Sequence, residues 1–220
     1  MDRVFAITAD NATNKDSGID SLQANNKNVI RIRCEAHVVN LVCQCGLEAL
    51  EPVVSKIRRF AKAVKNSVKQ FNIFSQIQES IDLKIKAQRV PLDVKIRWNS
   101  TFLMSVVALK YKDAINIYVK QYMKDTFTDE DWELIELYRE LLEPFYAETL
   151  NVFRKGRPTL SAVVLIMQEL EDHLDKFARG MCLHSKKALK GHRFFAFRSS
   201  RARICCQEYA EKVAVLLGQS

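Results

Sequence analysis

Asp10 places a carboxylate just after a short β-prone run, Val4 to Thr8. In an open α/β sheet, ligands bind beyond the carboxyl ends of the strands, which is where Asp10 would lie. Its carboxylate supplies the hard oxygen atoms that Mg²⁺ prefers. The alternative is a helix N-cap aspartate, which is common after a strand.

Cys34 and His37 form a C-x-x-H pair. A structural zinc site needs four ligands, and the nearby Cys43 and Cys45 are spaced C-x-C, which suits such a site poorly. If no zinc is bound, Cys34 is expected to be a thiol packed under the sheet, and His37 a hydrogen-bonded histidine.

A run of cations on one predicted helix could contact nucleic-acid phosphates. Such contacts are salt-dependent and independent of the base sequence. The alternative is a solvated outer face of the helix. The cations are Lys56, Arg58, Arg59, Lys62, Lys65 and Lys69.

The charge of the 220-residue chain is strongly segregated. Its net charge of +8 divides into +8 over residues 1–125, −8 over 126–175 and +8 over 176–220. This layout suggests a surface that faces a polyanion, although solvated faces without a specific partner give the same pattern. No apolar stretch approaches the ~18–20 residues of a membrane span. The N-terminus lacks the layout of a signal peptide, so we expect neither secretion nor a membrane partner.

The apolar spacing predicts a small α/β unit followed by helices. Strands are expected over residues 4–8 and 28–34, with a helix over 13–25 between them. Further helices are expected over 47–71, over 101–122, after an N-cap at Thr128, and from Thr159 to Leu174. The helix over 47–71 would carry one apolar stripe, from Leu47 to Phe71. The predicted fold class is α/β + α, predominantly α overall.

Three motifs in this order carry a family resemblance. They are Thr8-Ala9-Asp10-Asn11-Ala12-Thr13-Asn14, then Arg33-Cys34-Glu35-Ala36-His37-Val38-Val39-Asn40-Leu41, then Arg97-Trp98-Asn99-Ser100-Thr101. The ordered set resembles the hAT superfamily of cut-and-paste DNA transposases and covers roughly residues 4–175. The last 45 residues do not clearly match.

The resemblance implies a partial RNase H-like core over residues 1–46, an all-α insertion over 47–178, and a basic tail of uncertain structure over 179–220. In that family three carboxylates, Asp-Asp-Glu, hold two divalent ions, Mg²⁺ or Mn²⁺. Asp10 matches the second carboxylate, and no residue here matches the other two. We therefore expect no bound cofactor and no catalysis by the chain as given.

The resemblance also implies roles for four other residues. It places Cys34 and His37 beside the active site, as its support. Trp98 resembles a tryptophan that stacks on a base flipped out of DNA, with Arg97 able to meet a phosphate. Such stacking is worth about 1–3 kcal/mol per base. The alternative for Trp98 is core or half-buried filler.

Three functions are consistent with these observations. The first is a truncated nuclear hAT-type fragment that binds DNA weakly and salt-dependently, without a small-molecule substrate. The second is an active transposase whose N- and C-terminal parts are missing from this sequence. The third is a helical protein-interaction module that uses the stripe from Leu47 to Phe71 as a partner or coiled-coil seam.

Overall fold

The computed structural model of the chain describes residues 6–9, 18, 20–21, 24, 30–48, 50–82, 86–152, 165–166 and 168–177. Helix predominates among them, as predicted. The elements are β1 (Ala6–Ala9), β2 (Ile30–Arg33), α1 (Glu35–Glu48), α2 (Glu51–Lys65), α3 (Val68–Ile81), α4 (Trp98–Lys110), α5 (Lys112–Tyr122) and α6 (Asp129–Val152). Residues 165–166 and 168–177 are also helical, within or next to the helix expected up to Leu174.

The described residues fall into two compact units. One unit holds the residues up to Cys45 together with those from Pro144 onward. The other holds the residues from Gly46 to Glu143. The division into domains 1–46, 47–178 and 179–220 stays a prediction.

The two strands form a parallel pair, with Ala6 opposite Ile30 and Ala9 opposite Arg33. A parallel pair needs a long crossover connection, and the described residues between positions 18 and 24 are helical. These elements fall where the sequence predicts two strands and a helix. The assignment of this pair to an RNase H-like core stays a prediction.

An aromatic cluster joins three helices in the unit from Gly46 to Glu143. The ring centroid of Phe60 in α2 lies 5.0 Å from that of Phe74 in α3 and 5.4 Å from that of Tyr118 in α5. Phe74 and Tyr118 are 5.9 Å apart, and all three pairs meet edge to face. The rings are buried, and edge-to-face pairs add about 0.5–1.5 kcal/mol each beyond their area burial. This cluster therefore fixes α2, α3 and α5 against one another.

The prediction of one helix over 47–71 is wrong, because the chain breaks twice. Pro52 lies in the first turn of α2, where its missing N–H is harmless; a continuous helix would need that N–H to bond Glu48. The second break is at Ser67, whose extended backbone starts α3 and whose hydroxyl accepts a hydrogen bond from the Gln70 N–H at 3.3 Å.

The apolar stripe is part of the core. Its members Leu47, Leu50, Val54, Ile57, Ala61 and Val64 are at most 7% exposed, whereas Val68 beyond the break is 72% exposed. The stripe is therefore not available as a seam for self-association, and this correction removes the basis of the third function.

The helix predicted over 101–122 is two helices, α4 and α5, and it starts earlier, at Trp98. The break is at Tyr111, which has a non-helical backbone conformation. No Pro or Gly marks this break. Tyr111 is buried, and its hydroxyl donates to the Lys86 carbonyl at 3.3 Å, so the break serves tertiary packing.

The start of α6 agrees with the sequence. The Thr128 hydroxyl accepts from the Asp131 N–H at 3.2 Å, and the Asp131 carboxylate accepts from the Thr128 N–H at 2.9 Å. This reciprocal arrangement is a capping box. The predicted buried face is confirmed for Trp132, Ile135, Tyr138, Leu142 and Phe145, while Tyr146 is half-buried.

A non-helical segment, residues 86–97, connects to the start of α4; we call it the strap. Gln78 of α3 holds its first part: the side-chain amide donates to the Gln88 carbonyl at 2.9 Å and accepts from the Gln88 N–H at 3.0 Å. Arg89 of the strap lies over the Phe71 ring, 3.8 Å from its centroid. The strap is thus fixed by polar and cation–π contacts together with the buried side chain of Val90.

A buried ion pair holds the middle of the strap. The guanidinium of Arg58 in α2 donates through Nε and Nη2 to both carboxylate oxygens of Asp93, at 2.7–2.9 Å. The Thr101 hydroxyl of α4 donates to the same carboxylate at 2.8 Å. Glu51 accepts from Arg58 Nη1 at 2.6 Å. One carboxylate therefore joins α2, the strap and α4.

The pKa of Asp93 lies below its ordinary value. Desolvation, the largest single effect, acts upward, but the hydrogen bonds from Arg58 and Thr101 and the charge of Arg58 together outweigh it. A carboxyl whose folded-state pKa is depressed stabilises the fold above its unfolded-state pKa and loses that contribution as the pH falls through the folded-state value.

We expect Thr128→Ala to lower the free energy of unfolding by about 1 kcal/mol, because the first turn of α6 loses its cap. Urea denaturation at neutral pH measures the change. Thr126→Ala is the matched control, since only its backbone carbonyl makes a described contact, with Lys56. Equal effects of the two substitutions would contradict the capping role.

We expect Asp93→Asn to lower the free energy of unfolding at pH 7 by about 3 kcal/mol, because Arg58 keeps its charge without its main partner. The difference from wild type should shrink as the pH falls below about 3.9, the ordinary aspartate value, because the unfolded chain then takes up a proton at Asp93. It should be smallest below the depressed folded-state pKa, where the folded protein is protonated as well. Urea titrations at several pH values measure this.

Asp125→Asn is the control for that series, because Asp125 forms an exposed ion pair with Arg59 at 2.7 Å. Exposed pairs contribute about 0–1 kcal/mol. A loss at pH 7 as small for Asp93→Asn as for Asp125→Asn would show that the buried pair does not stabilise the fold.

Candidate nucleic-acid interface

Three of the predicted DNA-contacting cations already face carboxylates inside the protein. Lys56 donates to Asp131 at 2.6 Å, and Arg59 donates to Asp125 at 2.7 Å. Arg58 binds Asp93 and Glu51, and these hydrogen bonds, the one to Asp93 foremost, raise the pKa of its guanidinium. The first half of the basic run in α2 therefore ties this helix to the strap and to the α5–α6 connection.

Lys62 and Lys65 in the last turns of α2 differ from these three. Both are exposed, and neither ammonium group forms an ion pair within the described part of the chain. Lys62 and Lys65 lie on the same face of α2 as Arg58, because the three positions are four and three residues apart. Lys69, at the start of α3, is also exposed.

The motif at the start of α4 combines an exposed cation with a buried ring. Arg97 is exposed and occupies the N-cap position, with no side-chain cap bond. Trp98 is only 3% exposed, and its ring lies 6.1 Å from that of Phe102. Stacking on a base would require the Trp98 ring to leave this core position, whereas Arg97 can meet a phosphate as it stands.

Ser100 of this motif hydrogen-bonds the backbone just before α4. The Ser100 hydroxyl accepts from the Val94 N–H at 2.8 Å and lies within hydrogen-bond distance of the carbonyls of Val94 and Arg97. Asn99 has a buried Oδ1 with no hydrogen-bond partner among the described residues. Asp93 and the roles of Ser100 and Thr101 were not predicted from the sequence. The available signal was a single carboxylate between apolar residues in Val90-Pro91-Leu92-Asp93-Val94.

The predicted catalytic region is only partly described. Cys34 and His37 are half-buried at the start of α1, where the His37 N–H donates to the Cys34 carbonyl at 3.0 Å. Asp10 lies outside the described residues. Within those residues, no three His, Cys, Asp or Glu side chains come together as a metal site requires. The roles predicted for Asp10, Cys34 and His37 stay predictions.

Comparison with known proteins identifies a family. A family model described as the ZBED1 RNase-like helical domain matches residues 32–141, half of the chain. The AC transposase of Zea mays is 29% identical over 213 residues, which cover 86% of this chain and 24% of that protein. RICESLEEPER 2 of Oryza sativa subsp. japonica, a zinc finger BED domain-containing protein, is 29% identical over 175 residues, covering 72% and 23%.

The chain thus spans about a quarter of the length of these two relatives. No solved structure matches it. None of the described helices has both the length and the apolar character that a membrane crossing needs. The family match covers α1 to α5, the strap and the part of α6 that ends at Leu141. The chain therefore belongs to the ZBED1 RNase-like helical domain family and is a transposase-like member of the hAT superfamily.

Proposed function

We propose that this chain is a nuclear, transposase-derived DNA-binding fragment that does not itself cleave DNA. The observation that carries the proposal is the pair of exposed ammonium groups of Lys62 and Lys65 on one face of α2, in a domain whose relatives are named as a transposase and as BED zinc finger proteins. Phosphate contacts by such groups give weak, salt-dependent affinity without base readout.

Lys62, Lys65 and Arg97 are the proposed phosphate contacts. Each is exposed, so it can exchange water for a phosphate oxygen without losing an internal partner. Lys56, Arg58 and Arg59 would first have to release Asp131, Asp93 and Asp125. Breaking the pair of Arg58 would leave a buried carboxylate uncompensated, which is costly. We therefore assign these three mainly to the fold, and Trp98 to the core of α4.

The proposed lack of catalysis rests on the carboxylate count. Two divalent ions need several carboxylates around them. Only Asp10 of these 220 residues matches the family pattern of three. We therefore derive no metal-dependent step from this chain.

An alternative is that these residues are part of an active transposase. The observation that favours it is the length of the relatives, of which this chain covers about a quarter. Under this alternative the rest of a longer protein would supply the missing carboxylates, and the helical domain would keep its DNA contacts.

We expect Lys62→Glu/Lys65→Glu to weaken binding to a short duplex and to reduce the slope of log affinity against log salt by about 1.8, the value for two lost phosphate contacts. Fluorescence anisotropy over a range of salt concentrations measures both. Lys120→Glu/Lys124→Glu is the matched control, since it makes the same charge change at two other exposed lysines. The same loss in both variants would indicate a general charge effect and contradict the assignment.

We expect no Mg²⁺- or Mn²⁺-dependent nicking of supercoiled plasmid by the chain, because a single matched carboxylate cannot hold two ions. Gel electrophoresis measures the nicked fraction, and Asp10→Ala is the matched control. Wild-type nicking that disappears in Asp10→Ala would sink the proposal and favour a working active site.

A further inference from the structure

The place of Arg97 is set by a short chain of contacts in the strap. The Arg97 N–H donates to the Val94 carbonyl at 2.8 Å, which closes a turn over residues 94–97. The Ser100 hydroxyl accepts from the Val94 N–H at 2.8 Å and reaches the Arg97 carbonyl at 2.8 Å. Val94 is therefore the residue through which the strap fixes the backbone of Arg97.

Asp93 immediately precedes Val94, and its side chain is hydrogen-bonded to two helices. Its side chain is 1% exposed and that of Arg58 is 14% exposed. Three donor atoms, two of Arg58 and one of Thr101, fill its two oxygens. Bidentate guanidinium–carboxylate pairs fix orientation as well as distance. The carboxylate thus holds residue 93 to α2 and to α4 at once, four residues before Arg97.

The apolar residues of the strap near Arg97 are largely exposed. Leu92, Val94 and Ile96 are exposed to 38%, 48% and 77%, so their apolar side chains contribute little burial. The first part of the strap is held separately, through Gln88 and Arg89. Loss of the Asp93 contacts would therefore loosen the turn over residues 94–97, while the contacts of Gln88 and Arg89 remain.

We propose that Asp93 is a positioning residue for Arg97: held by Arg58 and Thr101, it fixes the turn that presents the Arg97 guanidinium at the start of α4. The inference rests on the proposed function only for what Arg97 then binds, a DNA phosphate. It gives Arg58 a defined role, since Arg58 acts on DNA binding through Asp93 and not by contact.

Amide hydrogen exchange of the full 220-residue chain tests the placement directly. In Asp93→Asn, the Val94 and Arg97 amides should exchange at least about tenfold faster than in wild type, as expected from losing roughly 1.4 kcal/mol of local stability. The Gln88 amide, which is held by Gln78, should speed up less than either of these two. Asp125→Asn is the control and should change none of the three. Unchanged rates for Val94 and Arg97 in Asp93→Asn would overturn the proposal.

A double-mutant cycle with duplex DNA tests the consequence. Arg97→Gln should weaken binding in the wild-type background and have little further effect in Asp93→Asn, while Lys65→Gln should weaken binding about equally in both backgrounds. Additive losses for Asp93 and Arg97 would overturn the positioning role. Non-additive losses shared by Lys65 would also overturn it, because they would indicate general destabilisation.

Ser100→Ala is the second variant, because it cuts the link between Val94 and Arg97 without leaving a buried charge unpaired. It should speed exchange at the same two amides and couple to Arg97→Gln in the same way, so the test stands even if Asp93→Asn does not fold. If wild type binds no DNA, the proposed function fails, while the exchange rates still decide whether Asp93 holds Arg97 in place.

Discussion

The buried ion pair of Arg58 and Asp93 is the constraint on which the helical unit depends. A carboxylate with 1% exposure must be compensated, and the geometry that compensates it leaves little freedom: the guanidinium comes from α2, and the third donor from Thr101 in α4. These contacts therefore fix the position of the strap and the start of α4. The edge-to-face cluster of Phe60, Phe74 and Tyr118 packs α2, α3 and α5 together and so supports these polar contacts.

The basic residues of α2 fall into two groups with different roles. The cations up to position 59 face Asp131, Asp93 and Asp125 and hold neighbouring segments in place. Lys62 and Lys65, one and two turns later, remain exposed to solvent. A positive run that looks uniform in sequence thus combines fold stabilisation with a proposed DNA contact. The family match over residues 32–141 makes a nucleic-acid partner the natural proposal for the second group.

Features that depend on neighbouring residues could be predicted from the sequence, whereas contacts between residues far apart in the chain could not. The start of α6 was predictable because Thr128 and Asp131 cap each other three residues apart, and the buried faces followed from helical spacing. The break before α2 was also encoded locally, by Pro52, but the regular apolar spacing across it concealed it. The break at Tyr111 and the role of Asp93 depend on contacts with Lys86 and Arg58, 25 and 35 residues away. Single-sequence reasoning has no access to such pairs, so the ion pair of Arg58 with Asp93 was not predicted. The DNA contact expected of Arg58 and the base stacking implied for Trp98 stay predictions.

The most direct test of this division is NMR of the arginine and lysine side chains during titration with a short DNA duplex. The account predicts that the Arg58 Nε–H signal exchanges slowly with water and keeps its position when DNA is added, because Nε–H donates to both oxygens of Asp93. The Nζ signals of Lys62 and Lys65 should shift on addition of DNA. A fast-exchanging Arg58 Nε–H, or one that shifts with DNA while the two lysines do not, would contradict the account.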